Sequence, residues 1–482
     1  MTSSTPASLR TRLGLVLGPT LALAALLAPF PLEPRQQRLA AVGTLVSIFW
    51  VSEALPLAVT ALLGPALAVL LGVAPAREAF APFGDPVILL FLGSFLLAEA
   101  LRAHGLDRRL ALLILALPGV TASAWRMIFA LGLVTALVSM WISNTATAAM
   151  MLPIALGLVR STRASAPAAA ALLLTMGMAA SIGGVATPVG TPPNLIGLGF
   201  IRDLSGRALD FPTFMALGVP LALVLLALQV GAARLLLPAV SVELPDGASL
   251  AAERRDLPPW GPGQRACAVV FGLVIFFWVA PGSAALLLPA GGPVTAALRG
   301  VEESVVAILG AALLFAWPVG ERRALTWEHA AQVDWGTLLL FGGGLSMGKL
   351  FFDTGLATVI GKGAIAVTGV TSLWGLTALG LAAAILLTEL ASNTASVSML
   401  APLLAALARE LGVPVLPPLL AVTFGASMGF MLPVGTPPSA IVYGTGLVPL
   451  TAMMRVGLLL DLASFVVIFT LLRLLCPLLG LA

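Results

Sequence analysis

Long apolar runs, separated by short polar turns, make up most of the chain. A helix that crosses a bilayer needs about 20 apolar residues, and runs such as 13–32 and 214–237 reach that length. The pattern therefore predicts an all-α polytopic membrane protein, with its N-terminus inside and its C-terminus outside. We expect eleven spans, at residues 13–32, 40–55, 58–73, 86–101, 168–201, 214–237, 266–280, 301–317, 335–352, 416–446 and 451–479.

Two further apolar stretches, 125–159 and 373–407, are interrupted in the middle by the same polar triplet. The copies read Ser143-Asn144-Thr145 and Ser392-Asn393-Thr394. Arg126 and Arg160 flank the first stretch, and like charge at both ends indicates that both ends lie on one side of the membrane. We therefore predict two re-entrant hairpins with the triplets at their tips. Such a tip is tolerated at membrane depth only if it is buried in protein or faces a wet cavity.

Two of the predicted spans contain a Pro-Val-Gly-Thr-Pro-Pro sequence that must break the helix. Proline removes backbone donors and glycine permits unusual dihedral angles, so the helix opens there. Thr191 and Thr436 should then cap the second half-helix, with prolines at its first positions. Prolines have no N–H, so we expect the first free backbone donors at Asn194, Leu195, Ser439 and Ala440.

Triplet and break occur together twice, which indicates an internal repeat. An odd number of predicted crossings separates the two hairpins, so the second copy is inverted relative to the first. Residues 85–106 and 334–356 extend the repeat with a looser similarity. The resulting division is an N-terminal segment with the first span, the first repeat, a polar cytoplasmic linker and the second repeat with the last span, at 1–39, 40–237, 238–265 and 266–482.

Composition agrees with this interpretation. The 482 residues are 59% hydrophobic and 10% charged, whereas soluble domains carry roughly 25% charged residues. The net charge of +4 comes from basic residues in short loops, which argues for membrane orientation and against nucleic acid as a partner. The abundance of Ala, Leu, Arg and Pro is typical of a GC-rich bacterium, so we expect the bacterial cytoplasmic (inner) membrane.

The repeated pattern places complementary chemistry at each break. The C-terminal end of a half-helix suits a cation and its N-terminal end suits a carboxylate or oxyanion. Asn144 and Asn393 each offer an amide oxygen to a cation and an N–H₂ group to an anion. The bland alternative is that Ser, Asn and Thr only hydrogen-bond helices together. Two symmetric triplets, each paired with a break, favour a binding site over that alternative.

These motifs resemble those of a known family, the divalent anion/sodium symporters, across nearly the whole chain. Residues 50–63 (WVSEALPLAVTALL) also look like that family's early span. The resemblance implies one sodium site with Ser139, Ser143, Asn144 and Gly190, and another with Thr388, Ala391, Asn393 and Gly435. For the substrate carboxylates it implies Ser143, Asn144, Thr145, Ser392, Asn393 and Thr394, with Thr191, Thr436 and Pro437 beside them and Val442 on the wall.

The resemblance further implies a homodimer in the lipid bilayer, with a scaffold domain and a transport domain that moves as an elevator. The implied activity is sodium-coupled import of a small dicarboxylate such as succinate, malate or fumarate. A sodium-independent exchanger of dicarboxylate against α-ketoglutarate and a citrate-selective symporter stay open as alternatives. One departure is Ser439, which stands where the second break commonly has asparagine; the first break keeps Asn194.

Other signals are weaker. Residues 343–349 match the spacing of a phosphate-binding loop, but Leu350 replaces the required Ser or Thr, so we interpret the glycines as helix-packing positions. Glu389 is an intramembrane acid and is expected either to form a salt bridge or to support a sodium site. We find no nucleophile with a base and no metal cluster at membrane depth, so we do not expect an enzyme, and sodium is the only expected cofactor.

Overall fold

The chain folds almost entirely into helices. The computed structural model describes residues 9–115, 117, 119–237, 240–243, 259–288, 292–293, 297–298 and 300–481. In those ranges the exception to helices and turns is a short β-hairpin of Pro318–Val319 (β1) with Arg322–Arg323 (β2). Most of the predicted linker, residues 244–258, lies outside the described ranges.

The first half contains eleven α-helices. They are α1 (Leu9–Leu27), α2 (Pro34–Ser52), α3 (Leu57–Leu70), α4 (Ala76–Phe80), α5 (Pro86–Ala103), α6 (Leu106–Leu115), α7 (Ala124–Ser139), α8 (Asn144–Ser161), α9 (Ala166–Gly184), α10 (Pro192–Ser205) and α11 (Phe211–Leu236). The second half continues with α12 (Pro262–Leu287), α13 (Glu303–Ala316), α14 (Trp327–Ala330), α15 (Trp335–Asp353), α16 (Leu356–Thr368), α17 (Leu373–Leu390), α18 (Asn393–Glu410), α19 (Leu416–Gly425), α20 (Pro437–Tyr443) and α21 (Leu450–Leu478).

Seven of the described helices are long and apolar enough to cross a membrane alone, and α15 with α16 makes an eighth if that bent pair is one span. The protein is therefore an all-α polytopic membrane protein, as predicted. The count of eleven spans stays a prediction, because it relies on shorter helices such as α3 and α13 and on the broken pair α19–α20.

Both polar triplets lie between two helices, α7 and α8 in the first copy and α17 and α18 in the second. Asn144 begins α8 and Asn393 begins α18, so each triplet lies at the start of the second helix. Both break sequences interrupt a helix, between α9 and α10 and between α19 and α20. The related segments 85–106 and 334–356 also match, because Asp85 caps α5 and Asp334 caps α15 through side-chain hydrogen bonds.

The two repeats interlock at their broken helices. Helix α10 of the first repeat packs against α18 and α19 of the second, and α20 of the second packs against α8 and α9 of the first. Glycines allow both approaches: a Cβ on Gly197 would lie 1.9 Å from Thr423 Oγ1, and one on Gly177 would lie 2.6 Å from Val442 Cγ2. Each half-site therefore depends on the other repeat for its support.

The glycine-rich stretch of α15 serves helix packing, as the sequence predicted. A Cβ on Gly343 would lie 2.3 Å from the carbonyl oxygen of Ala61, and one on Gly348 would lie 2.4 Å from the ring of Phe200. Lys349 is exposed on the outer side of the same helix. The stretch therefore packs α15 against α3 and α10 and does not form a phosphate-binding loop.

The close contact between α7 and α9 predicts that even an alanine at Gly183 destabilises the protein. A Cβ on Gly183 would lie 2.2 Å from the backbone oxygen of Ala136, so Gly183→Ala must push α9 away from α7. Overpacking of this kind costs about 1–3 kcal/mol, and we expect a lower thermal unfolding temperature in detergent.

The matched control is Gly157→Ala on α8, where a Cβ would meet no atom within 4 Å. Alanine is the better helix former, so this variant should unfold at or above the wild-type temperature. Equal unfolding temperatures for Gly183→Ala and Gly157→Ala would contradict the packing described for α7 and α9.

Candidate functional site

A cavity of about 890 Å³ lies where the two triplets and the two breaks meet. Both asparagines line it, and so do most of the other polar residues that the sequence singled out. The predicted residues on its surface are Ser143, Asn144, Thr145, Thr191, Ser392, Asn393, Thr394, Gly435, Thr436 and Pro437. Segments far apart in sequence therefore form one chamber, which has the polar residues of the triplets and breaks on its surface.

The first tip contains a compact group of oxygen atoms. The hydroxyl of Ser139, at the end of α7, lies 2.9 Å from Asn144 Oδ1 and 2.5 Å from the carbonyl oxygen of Ala180 in α9. Ser139 is fully buried beneath the cavity surface. A serine hydroxyl has one proton, so it can donate to only one of these two acceptors at a time.

The second tip repeats this arrangement with threonine in place of serine. Thr388 Oγ1, near the end of α17, lies 2.6 Å from Asn393 Oδ1 and 2.7 Å from the carbonyl oxygen of Ala426. Thr388 is also fully buried. Two symmetric groups of three oxygens, each with a single hydroxyl proton, therefore lie directly behind the cavity.

Helix ends supply the opposite polarity at the cavity surface. Helices α8 and α18 both begin at the tips, and 18-residue helices carry partial positive charge at their N-termini. Ser143 accepts a hydrogen bond from the backbone N–H of Ala146 at 3.3 Å, which fixes the start of α8. The N-termini of α8 and α18 therefore lie at the cavity surface, and the two groups of oxygen atoms lie behind them.

The backbone donors of the breaks are not free, contrary to the sequence-based expectation. The N–H groups of Asn194 and Ala440 both donate to the carbonyl oxygen of their capping threonine at 3.1 Å, and that of Ser439 donates to Thr436 Oγ1 at 3.3 Å. The chain turns tightly enough after each Thr-Pro-Pro to close a bond within the first turn. The threonine hydroxyls also have partners, since Thr191 Oγ1 accepts from Asn144 Nδ2 at 3.4 Å and Thr436 Oγ1 lies 2.9 Å from Ser439 Oγ.

The two breaks are held in different ways. The side-chain amide of Asn194 donates to the carbonyl oxygens of Gly184 at 2.9 Å and Thr187 at 2.7 Å. Ser439, the equivalent residue in the second break, reaches only Thr436, whose hydroxyl lies 2.9 Å from Ser439 Oγ. The departure noted in the sequence therefore leaves the second break without the amide that fixes the first.

Glu389 holds the backbone of the second break in a different way. Its carboxylate accepts hydrogen bonds from the backbone N–H groups of Met431 at 2.8 Å and Leu432 at 3.1 Å. Of the two roles expected for Glu389, a salt bridge is not seen among the described residues. A carboxylate that accepts from backbone N–H groups thus holds the second break, whereas an amide that donates to carbonyl oxygens holds the first.

Five predicted residues lie outside the cavity surface. Ser139 and Thr388 sit behind it, and so do Gly190 and Ala391, which are buried in the turns. Gly190 lies against backbone oxygens, since a Cβ there would be 2.5 Å from Gly184 O. Val442, expected on the wall, instead packs on Gly177 of α9, because it lies on the side of α20 that faces the first repeat.

Gly184 is a residue that the sequence reading missed. A Cβ there would lie 2.4 Å from Asn144 Oδ1, so the asparagine amide rests directly on the glycine backbone. The signal in the sequence is the Gly183-Gly184 pair that ends α9 just before the break. Any side chain at Gly184 would displace Asn144 from its position between Ser139 and the cavity.

The other wall of the cavity carries charge. Arg102 of α5 forms a pair with Glu99 at 2.5 Å and also donates to Gln332 at 3.2 Å. Glu53 and Asp334 line the same wall. Charged side chains therefore line the cavity away from the tips, while the tips themselves carry no charged side chain.

The asymmetry of the breaks gives a test. Asn194→Ser leaves the buried carbonyl oxygens of Gly184 and Thr187 without their donor, and unsatisfied buried groups cost about 1–3 kcal/mol. We expect a clear fall in thermal unfolding temperature. Ser439→Ala, which removes one hydroxyl contact, should cost less. A smaller effect for Asn194→Ser than for Ser439→Ala would contradict the anchoring role of Asn194.

Relatives with matching length exist in bacteria. An uncharacterised transporter of Haemophilus influenzae is 35% identical over 454 residues, covering 92% of this chain and 93% of the relative. The sodium-dependent dicarboxylate transporters SdcS of Staphylococcus saprophyticus and Staphylococcus aureus are each 32% identical and cover 96% of this chain and 91% of their own length.

Comparison with solved structures supports the fold. The YdaH transporter of Alcanivorax borkumensis superposes over 98% of this chain and 99% of its own, with a TM-score of 0.52 at 14% identity. Residues 10–481 match the family described as the sodium:sulfate symporter transmembrane region. With the paired tips, the interlocked breaks and this match over nearly its whole length, the chain belongs to the divalent anion/sodium symporter family of integral membrane transporters.

Proposed function

We propose that the protein is a sodium-coupled importer of small dicarboxylates of the succinate, malate and fumarate class. The observation that carries the proposal is the doubled oxygen group, Ser139 with Asn144 and Thr388 with Asn393, behind one cavity. The naming of the staphylococcal relatives as sodium-dependent dicarboxylate transporters supports it. Sodium and the dicarboxylate are both transported. Sodium binds behind the tips, and the dicarboxylate binds on the cavity side.

Sodium binds at the two oxygen groups. The first site consists of Ser139, Ser143, Asn144 and the backbone of Gly190, and the second of Thr388, Ala391, Asn393 and the backbone of Gly435. A small cation is coordinated by the oxygen lone pairs that a single hydroxyl proton cannot hydrogen-bond. Neutral oxygens suit a monovalent ion that must also be released, because its attraction to them is moderate.

The asparagine amide couples the ion to the substrate. With sodium bound, the amide oxygen turns toward the ion and the N–H₂ group turns toward the cavity. Without sodium, the amide rotates so that N–H₂ donates to the hydroxyl of Ser139 or Thr388, which then donates to the carbonyl oxygen behind it. The empty site therefore presents an oxygen to the cavity, which repels a carboxylate, and sodium binds before the dianion.

The dicarboxylate binds across the cavity with one carboxylate at each tip. Ser143-Asn144-Thr145 and Ser392-Asn393-Thr394 offer hydroxyl and amide donors at the N-termini of α8 and α18, where an anion is favoured. The threonine hydroxyls of Thr191 and Thr436 complete the chamber, with Pro437 beside them. Two sodium ions balance a dianion, and any further ion makes transport electrogenic.

The transport cycle follows from the two-repeat architecture. The hairpins and broken helices move as one transport domain against a scaffold, in an elevator motion that alternates access between the two sides. The acidic wall with Glu99 and Arg102 then belongs to the scaffold on the side to which the cavity opens. The protein works as a homodimer in a bacterial inner membrane, with its N-terminus inside.

Uptake by proteoliposomes tests the assignment. Labelled succinate should accumulate only with an inward sodium gradient, and Asn144→Ala or Asn393→Ala should abolish accumulation. Sodium-independent counterflow against preloaded α-ketoglutarate would identify an exchanger instead and would contradict the coupling. Strong competition by citrate with weak competition by malate would point to a citrate-selective symporter.

The hydroxyl of Thr388 gives a matched pair of variants. Thr388→Val keeps the shape and removes the oxygen, so the sodium concentration for half-maximal uptake should rise roughly tenfold or more. Thr388→Ser keeps the oxygen and should stay within about twofold of the wild type. If valine and serine behave alike, Thr388 does not contact sodium.

A further inference from the structure

A second cavity, of about 640 Å³, is formed by the end of α6, the turn that follows it, the start of α7 and the end of α11. We call it the groove. It shares no lining residue with the cavity between the tips. Among the described residues that line it, two are basic, Arg126 and Arg234, and none is acidic. The proposed function assigns no role to either arginine.

The two arginines of the groove lack a counter-charge. In the part of the chain that the structure describes, neither Arg126 nor Arg234 forms an ion pair. The guanidinium carbon of Arg234 lies 6.0 Å from the centroid of the Trp125 ring, a contact that positions the cation without neutralising it. Arg126 lies in the first turn of α7, where the helix dipole adds partial positive charge. This end of the groove therefore favours an anion.

The rest of the groove is mainly apolar. Ile114 and Leu117 come from the end of α6 and the turn after it, and Phe129 and Leu133 lie one and two turns beyond Arg126 along α7. Leu117 is 51% exposed and Phe129 is 39% exposed, so both have apolar surface to offer a ligand. A basic end that continues into an apolar wall matches an amphiphile with a negatively charged head better than a free ion.

The predicted topology places this basic end at the membrane surface. Helix α11 is long and apolar enough to cross the membrane, and Arg234 lies in its last turn, just before the predicted cytoplasmic linker. Tryptophan, here Trp125, is enriched at the membrane–water interface. Anionic phospholipids of the cytoplasmic leaflet bind basic pockets between membrane helices. We propose that Arg126 and Arg234 bind the phosphate of an anionic phospholipid, whose acyl chain lies along the apolar wall of the groove.

A lipid in the groove contacts three helices at once. Helix α7 packs against both α6 and α11, and the groove lies where the ends of the three helices meet. The bound lipid therefore stabilises the start of α7, the helix that carries Ser139 at its other end. Lipid binding does not rest on the proposed function, because the groove contains none of the residues assigned to sodium or to the dicarboxylate.

Native mass spectrometry of the purified full-length protein in detergent tests the groove, with phosphatidylglycerol as the probe. The wild type should bind this lipid about tenfold more tightly than phosphatidylcholine with the same acyl chains. Arg126→Gln and Arg234→Gln should each weaken phosphatidylglycerol binding about fivefold, which is the contribution of one basic residue near a membrane surface. Wild-type affinity for phosphatidylglycerol in both variants would overturn the proposal.

Arg473→Gln is the matched control. Arg473 is also exposed and lies 5.9 Å from the ring of Trp374, but it does not line the groove, so this variant should keep the wild-type affinity for phosphatidylglycerol. A loss equal to that of Arg126→Gln would mean that only surface charge matters, and the groove would be wrong. Glycerol phosphate has the charged head without acyl chains and should bind about a hundredfold more weakly than the lipid. If it competes as well as the lipid does, the occupant is a free phosphate compound and the lipid assignment is wrong.

Discussion

One hydroxyl proton shared between two acceptor oxygens is the constraint on which the site depends. Ser139 and Thr388 each face an asparagine amide and a helix carbonyl, and neither hydroxyl can satisfy both. In water a solvent molecule would resolve the deficit, but these side chains are fully buried. In the proposed mechanism a cation or rotation of the amide removes the deficit, and these two solutions present opposite groups to the cavity.

The internal repeat explains why the constraint occurs twice around one chamber. Each broken helix sends its second half into the opposite repeat, with Gly197 against Thr423 and Gly177 against Val442. Neither tip can move independently of the other without loss of that packing. A dianion has two carboxylates, and a chamber with two related tips matches it without any charged side chain at the tips.

Much of the fold and of the candidate site could be predicted from the sequence, because it depends on local patterns of residues. The placement of the triplets at helix starts, the Thr-Pro-Pro breaks and the glycine packing of α15 follow from residue type and spacing. The backbone donors of Asn194 and Ser439 were predicted wrongly, because the bonds within the first turn depend on how tightly the chain closes. The location of Val442 could not be predicted either, since it depends on which side of α20 meets α9.

The measurement that tests the account most directly compares sodium binding with succinate binding in Asn144→Asp and Asn393→Asp. Aspartate keeps an oxygen toward the ion and replaces the N–H₂ group toward the cavity with a second oxygen. The account predicts that each variant binds sodium at least as tightly as the wild type and no longer binds succinate. Loss of sodium binding, or succinate binding at wild-type affinity, would contradict the coupling through the amide.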